Sequence, residues 1–110
     1  MSRRKRYVKG RVYKTNDSIL TGHEKPGRRV VVVNNDPKTA HVRRITKIQN
    51  GGRNARKGTP IEIYPDIKKP SVVENKTFRK TITGKPINLR LMKKTKTRLN
   101  KWDRKKLKIK

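Results

Sequence analysis

A formal charge of +27 on 110 residues leaves this chain few ways to stay compact by itself. It carries 34 Lys and Arg against 7 Asp and Glu. Like charges this dense repel one another within the roughly 8 Å reach that physiological salt allows. A polyanion removes that repulsion, and each phosphate neutralised also releases condensed counterions. Nucleic acid is therefore the first partner to consider. An acidic membrane is the second, and the pattern speaks against it. The longest apolar run is Val30–Val33, too short to cross a bilayer or to form a signal-peptide core. An interfacial helix needs a bulky apolar face, which the C-terminal helical candidate lacks. Cysteine is absent, which excludes disulfides, thiol catalysis and Cys-based zinc sites. No metal and no cofactor is expected, and the charge points to an intracellular, cytoplasmic home.

Only 29% of the residues are hydrophobic, enough for one small core and no more. The order of elements predicts three parts: a basic arm over residues 1–7, a β-rich unit over 8–87, and a basic segment with a helix over 88–110. The arm holds Arg3, Arg4, Lys5 and Arg6, a block suited to phosphates or to plain solvation. A first strand is predicted over Val8–Lys14, with Gly10 as a bulge. A long polar loop follows over Thr15–Gly27. Arg28–Val33 is the clearest strand, and its four valines predict a strand buried on both faces or one crossing a barrel. Asn34, Asn35, Asp36 and Pro37 end it with turn chemistry. The next strand spans Ala40–Ile48, and its alternation slips at Arg43–Arg44, which predicts a local bulge. Asn50–Gly58 is a basic Gly/Asn loop without the Lys-Ser/Thr ending of a nucleotide-binding loop. Pro60–Tyr64 and part of Ser71–Ile82 complete the strands. Thr95 or Thr97 is expected to cap a helix reaching Leu107, with Leu99, Trp102 and Ile109 docking it on the core. Together these predict a mainly β chain: a small barrel or half-barrel with a C-terminal helix.

The stretch Gly27-Arg28-Arg29-Val30-Val31-Val32-Val33-Asn34-Asn35-Asp36 resembles the second-strand signature of the MazF/PemK family. The likeness continues through Thr39-Ala40-His41-Val42-Arg43-Arg44-Ile45-Thr46. Gly10-Arg11-Val12-Tyr13, Pro60-Ile61-Glu62-Ile63, Ser71-Val72-Val73 and Phe78-Arg79-Lys80-Thr81-Ile82 fall in the order of its other strands. The resemblance covers roughly residues 8–87. It implies an SH3-like barrel of the toxin–antitoxin type, often dimeric, with metal-independent cleavage of mRNA. It also implies that Arg28 and Thr46 form the cleavage site. A guanidinium there stabilises charge on the phosphorane while a hydroxyl orients the group. The chain departs from the pattern at Arg29, where the family has Pro, at Arg11, where it often has an acid, and at Arg43-Arg44, where its strand is apolar. Those departures suit a barrel turned to plain binding.

The phosphate contacts expected from the charge pattern are Arg3, Arg4, Lys5, Arg6, Arg11, Arg29, Arg43, Arg44, Arg53, Arg56, Lys57, Arg79, Lys80, Arg98 and Arg104. Tyr7, Tyr13, Tyr64 and Trp102 are candidates either for stacking on bases or for the core. His23 and His41 lie in different elements, and His23 suits either proton transfer or simple solvation. Binding of nucleic acid, RNA slightly ahead of DNA, stands first. An mRNA-interferase-type endoribonuclease stands second. An accessory protein of a mobile element, an inhibitor seated in a nucleoprotein complex, and a structural ribonucleoprotein component remain as further readings.

Overall fold

The computed structural model describes residues 9–36, 38–48, 58–65 and 67–109. The expected Val8 strand start, the arm residues Arg3, Arg4, Lys5 and Arg6, the loop residues Arg53, Arg56 and Lys57, and Tyr7 lie outside them. Six strands form one antiparallel sheet: β1 (Arg11–Thr15), β2 (Arg28–Val32), β3 (Val42–Lys47), β4 (Gly58–Ile61), β5 (Ser71–Phe78) and β6 (Lys93–Arg98). Their order is β4-β5-β3-β2-β1-β6. Among the described residues, two short helices, α1 (Ser18–Thr21) and α2 (Lys101–Lys106), and a 3-10 turn at Leu89–Leu91 accompany the sheet. The chain is mainly β, as expected, but the sheet does not close into a barrel. β4 and β6 stand at its two ends and do not pair with each other.

The valine run explains the centre of the fold. Val30, Val31 and Val32 are all fully buried in β2. Alternation sends Val30 and Val32 into one apolar cluster with Tyr13, Val42, Phe78, Leu20, Ile87 and Met92. It sends Val31 into a second cluster with Val12, Ile45, Val73, Leu99, Leu107 and Ile109. A strand apolar at consecutive positions is stable only where both sides are covered, and here both are. One cover is α1 with the segment around Ile87–Met92; the other comes from the C-terminal residues and Ile61 and Ile67.

The slip at Arg43–Arg44 is a register shift in the β3–β5 pair, between Arg43 and Ile45. The extra residues lie on the β5 side, between Val73 and Thr77, while β3 alternates normally and sends Val42 to the first cluster and Ile45 to the second. Gly10 precedes β1 with a φ of +81°, and a second register shift falls between Arg11 and Tyr13 where β1 meets β6. Glycine is needed at Gly58 for a different reason. A Cβ there would stand 2.3 Å from the Val73 carbonyl oxygen of the paired strand. Backbone cannot yield as a side-chain tip does. Gly58→Ala is expected to cost about 2 kcal/mol and to lower the melting midpoint by about 10 °C, read by thermal unfolding.

The C-terminal segment differs from expectation in three ways. Residues Lys93–Arg98 form a strand, so Thr95 and Thr97 cap no helix. Both threonines are buried, and Thr95 Oγ1 donates to the Val12 carbonyl at 2.6 Å. The helix starts later, with Asn100 as its cap accepting from the Asp103 N–H at 2.8 Å. Trp102 does not dock: it is 66% exposed. Leu99, Asp103 and Leu107 are spaced four apart and form the buried stripe instead, with Ile109 beyond it.

Asp103 is fully buried and anchors this stripe. Its Oδ2 accepts from the Tyr64 hydroxyl and, at 2.9 Å, from the Glu62 N–H. Lys106 Nζ lies 3.2 Å from Oδ1 and also donates to the Pro60 carbonyl at 2.8 Å. Tyr64 closes the loop by accepting from the Asn100 N–H at 2.9 Å. Burial pushes the Asp103 carboxyl up, but the Tyr64, Glu62 and Lys106 donors outweigh it and hold the carboxyl below its usual range. The same burial, with the Asp103 bond, pushes the Tyr64 phenol up.

Candidate nucleic-acid interface

The site grows out of where β2 begins and β3 ends. Antiparallel pairing sets Val30 opposite Arg44, so the start of β2 lies beside the end of β3. There a cleft of about 580 Å³ opens, lined by the cations Lys25, Arg28, Arg29, Lys47, Lys68 and Lys69. Thr46 and Ser71 line it with hydroxyls, and among the described residues Glu74 is the one carboxylate on the wall. Six cations against one acid make a concave surface of one sign, which focuses the field on an anion. Arg28 and Thr46 thus line the same cleft. The arginine reaches across the strand pair, its Nη1 donating to the Ile45 carbonyl at 3.4 Å, one residue before Thr46.

The arginines divide by what holds them. Asp17, 3% exposed, draws in two of them. Arg28 Nε lies 3.5 Å from Oδ1 as an ion pair without hydrogen-bond geometry, and Arg44 Nη1 donates to Oδ2 at 3.2 Å. Arg44 also grips Glu74 through Nη2 at 2.8 Å and lies over the Phe78 ring, 5.4 Å from its centre. Arg43 Nε donates to the Glu74 carbonyl, and burial pulls the Arg43 guanidinium below its usual range. The two arginines in the middle of β3 are therefore fastened internally. Arg29 also lines the cleft; its Nε is buried without a hydrogen-bond partner.

The remaining expected contacts are scattered. Arg11 donates to the Thr95 carbonyl, and Arg98, on the edge strand, to the Lys9 carbonyl at 3.2 Å. Arg104 donates from α2 to the Leu99 carbonyl at 2.9 Å. Arg79 and Lys80 are exposed after β5 and do not line the cleft. His23 is exposed in the loop after α1, and His41 precedes β3.

Lys25, Lys47, Lys68 and Lys69 were not singled out by sequence. The Lys-Lys-Pro run of 68–70 gives a signal, but only the fold carries it to the ends of β2 and β3. The edge strand offers a second basic surface. Lys94, Lys96 and Arg98 are exposed at alternate positions while Thr95 and Thr97 are buried. Its period of two is plain in the sequence Lys-Lys-Thr-Lys-Thr-Arg, once strands made without apolar residues are admitted. Among the described residues, no helix is long and apolar enough to cross a membrane. No family model, no curated protein and no solved structure matches the chain.

Proposed function

We propose that this chain binds nucleic acid, RNA ahead of DNA, through phosphate contacts centred on the cleft at the ends of β2 and β3. The observation that carries this reading is the cleft wall, with six cations and one carboxylate among the described residues, on a chain of charge +27. Lysine ammoniums and guanidiniums on a concave surface suit a bent phosphate backbone, and the Thr46 hydroxyl adds a neutral donor. A relation to the MazF/PemK family, with an open sheet in place of its barrel, belongs to the same proposal, as does an intracellular location. The second reading is metal-independent RNA cleavage. It is favoured by one specific observation: Arg28 and Thr46 line a single cleft.

Two features weigh for binding without cleavage. Arg28 is held back by Asp17 and the Ile45 carbonyl, and only 12% of its side chain is exposed. The cations added beside it, Lys68 and Lys69, supply further charge for phosphate contacts. The test is incubation of the full chain with labelled RNA and DNA of one sequence in EDTA. Retarded but intact RNA is expected. Cleaved RNA with 2′,3′-cyclic ends would select the nuclease, and no retardation at low salt would reject both readings. Arg28→Lys and Thr46→Val conserve net charge, so a binder holds RNA within about threefold of the parent in either variant.

A further inference from the structure

Trp102 is the chain's single tryptophan and its largest apolar side chain, yet it stands 66% exposed. In a chain with so little apolar material, leaving that surface in water forgoes about 1–2 kcal/mol of burial. The indole is nevertheless rigidly carried. The next residue, Asp103, is fixed by Tyr64, by the Glu62 N–H and by Lys106, and Asn100 caps the helix two residues before. The backbone is thereby pinned from both sides while the ring points away from the buried stripe. Ile63, 62% exposed, follows Glu62 and so flanks the same hydrogen bond from the other chain segment.

The other described aromatic side chains are engaged. Tyr13 and Phe78 are buried in the first cluster, and the Tyr64 hydroxyl is bound to Asp103. The surroundings of Trp102 are cationic. Lys101 precedes it, and Lys105 lies three residues on, on the same helix face; both are exposed. The nearby carboxylates are occupied: Asp103 as described, and Glu62 by Asn100 Nδ2 at 3.1 Å. A flat, exposed ring on a pinned backbone, with exposed lysines one residue before it and three after, matches one kind of occupant by both shape and charge: an unpaired base with its flanking phosphates. A base inside a duplex is stacked on its neighbours and offers an indole no free face.

We propose that Trp102 is a stacking platform for an unpaired base, with Lys101 and Lys105 on the adjoining phosphates, and that the chain therefore prefers single strands to duplex. This rests on the nucleic-acid-binding reading above. Because the tryptophan is unique, indole emission reports on this position alone. The full chain is titrated with a fluorescein-labelled 12-nucleotide oligouridylate and with a blunt RNA duplex of equal length. Label anisotropy reports binding, and indole emission reports stacking. Expected are strong quenching by the single strand, little by the duplex at equal saturation, and about tenfold weaker single-strand binding for Trp102→Leu with duplex binding unchanged. Trp102→Phe recovers part of the loss, and both variants melt with the parent because the ring fills no core space. A rise in anisotropy without quenching, with Trp102→Leu binding like the parent, overturns the platform and leaves nucleic-acid binding standing. Equal quenching by the duplex overturns the single-strand preference. No rise in anisotropy with either probe overturns both proposals.

Discussion

Asp103→Ala is expected to cost about 3 kcal/mol and to lower the melting midpoint by about 15 °C. The size follows from what the carboxylate satisfies. Its removal leaves the Tyr64 hydroxyl and the Glu62 N–H without their acceptor in a buried site, and strips Lys106 of its counter-charge. Two segments distant in the chain meet there, residues 60–64 and α2 with its cap Asn100, so the loss is not local. Asp103→Asn keeps the shape and one acceptor oxygen, and is expected to fall between parent and alanine. The pH dependence has a definite sign. The folded carboxyl is held below its ordinary 3.8, so its stabilisation is present above that value and is lost as pH falls through the lower folded value. Acid unfolding should therefore begin below about pH 4 in the parent and be blunted in Asp103→Asn. A midpoint unchanged by Asp103→Ala would mean that apolar contacts of Leu99, Leu107 and Ile109 suffice to seat the helix.

Much of the sheet was legible because apolar residues wrote it. The valines of β2 predicted two covered faces, and the broken alternation at Arg43–Arg44 predicted the register shift now seen against β5. What could not be read is where those two arginines find their partners, since Glu74 is about thirty residues on. β6 escaped because its buried positions are threonines, stabilised by pairing with β1 rather than by hydrophobicity. Trp102 was misplaced for a physical reason. Hydrophobicity alone rotates α2 toward Trp102, but a carboxylate met by the Tyr64 hydroxyl and the Glu62 N–H rotates the helix toward Asp103. The seven acids are few against thirty-four bases, and two of them, Asp17 and Asp103, are buried at junctions. Where acids are so scarce, each one deserved to be read as a structural anchor. The family resemblance led to Arg28 and Thr46, but the lysines beside them are brought in by a connector whose path no local pattern records.

Binding driven by phosphates has one direct measurement: the affinity of the full chain for a labelled single-stranded RNA across a salt series. Six cations on the cleft wall and the exposed row on β6 make about six or more phosphate contacts reasonable, so affinity should fall about 10³-fold between 50 and 200 mM salt. Replacing Lys68 and Lys69 with glutamine should shallow the log–log slope by about one to two contacts. The predicted result is a straight, steep line whose slope drops in that double variant. Affinity that stays level across the series, or no binding at 50 mM, would contradict it.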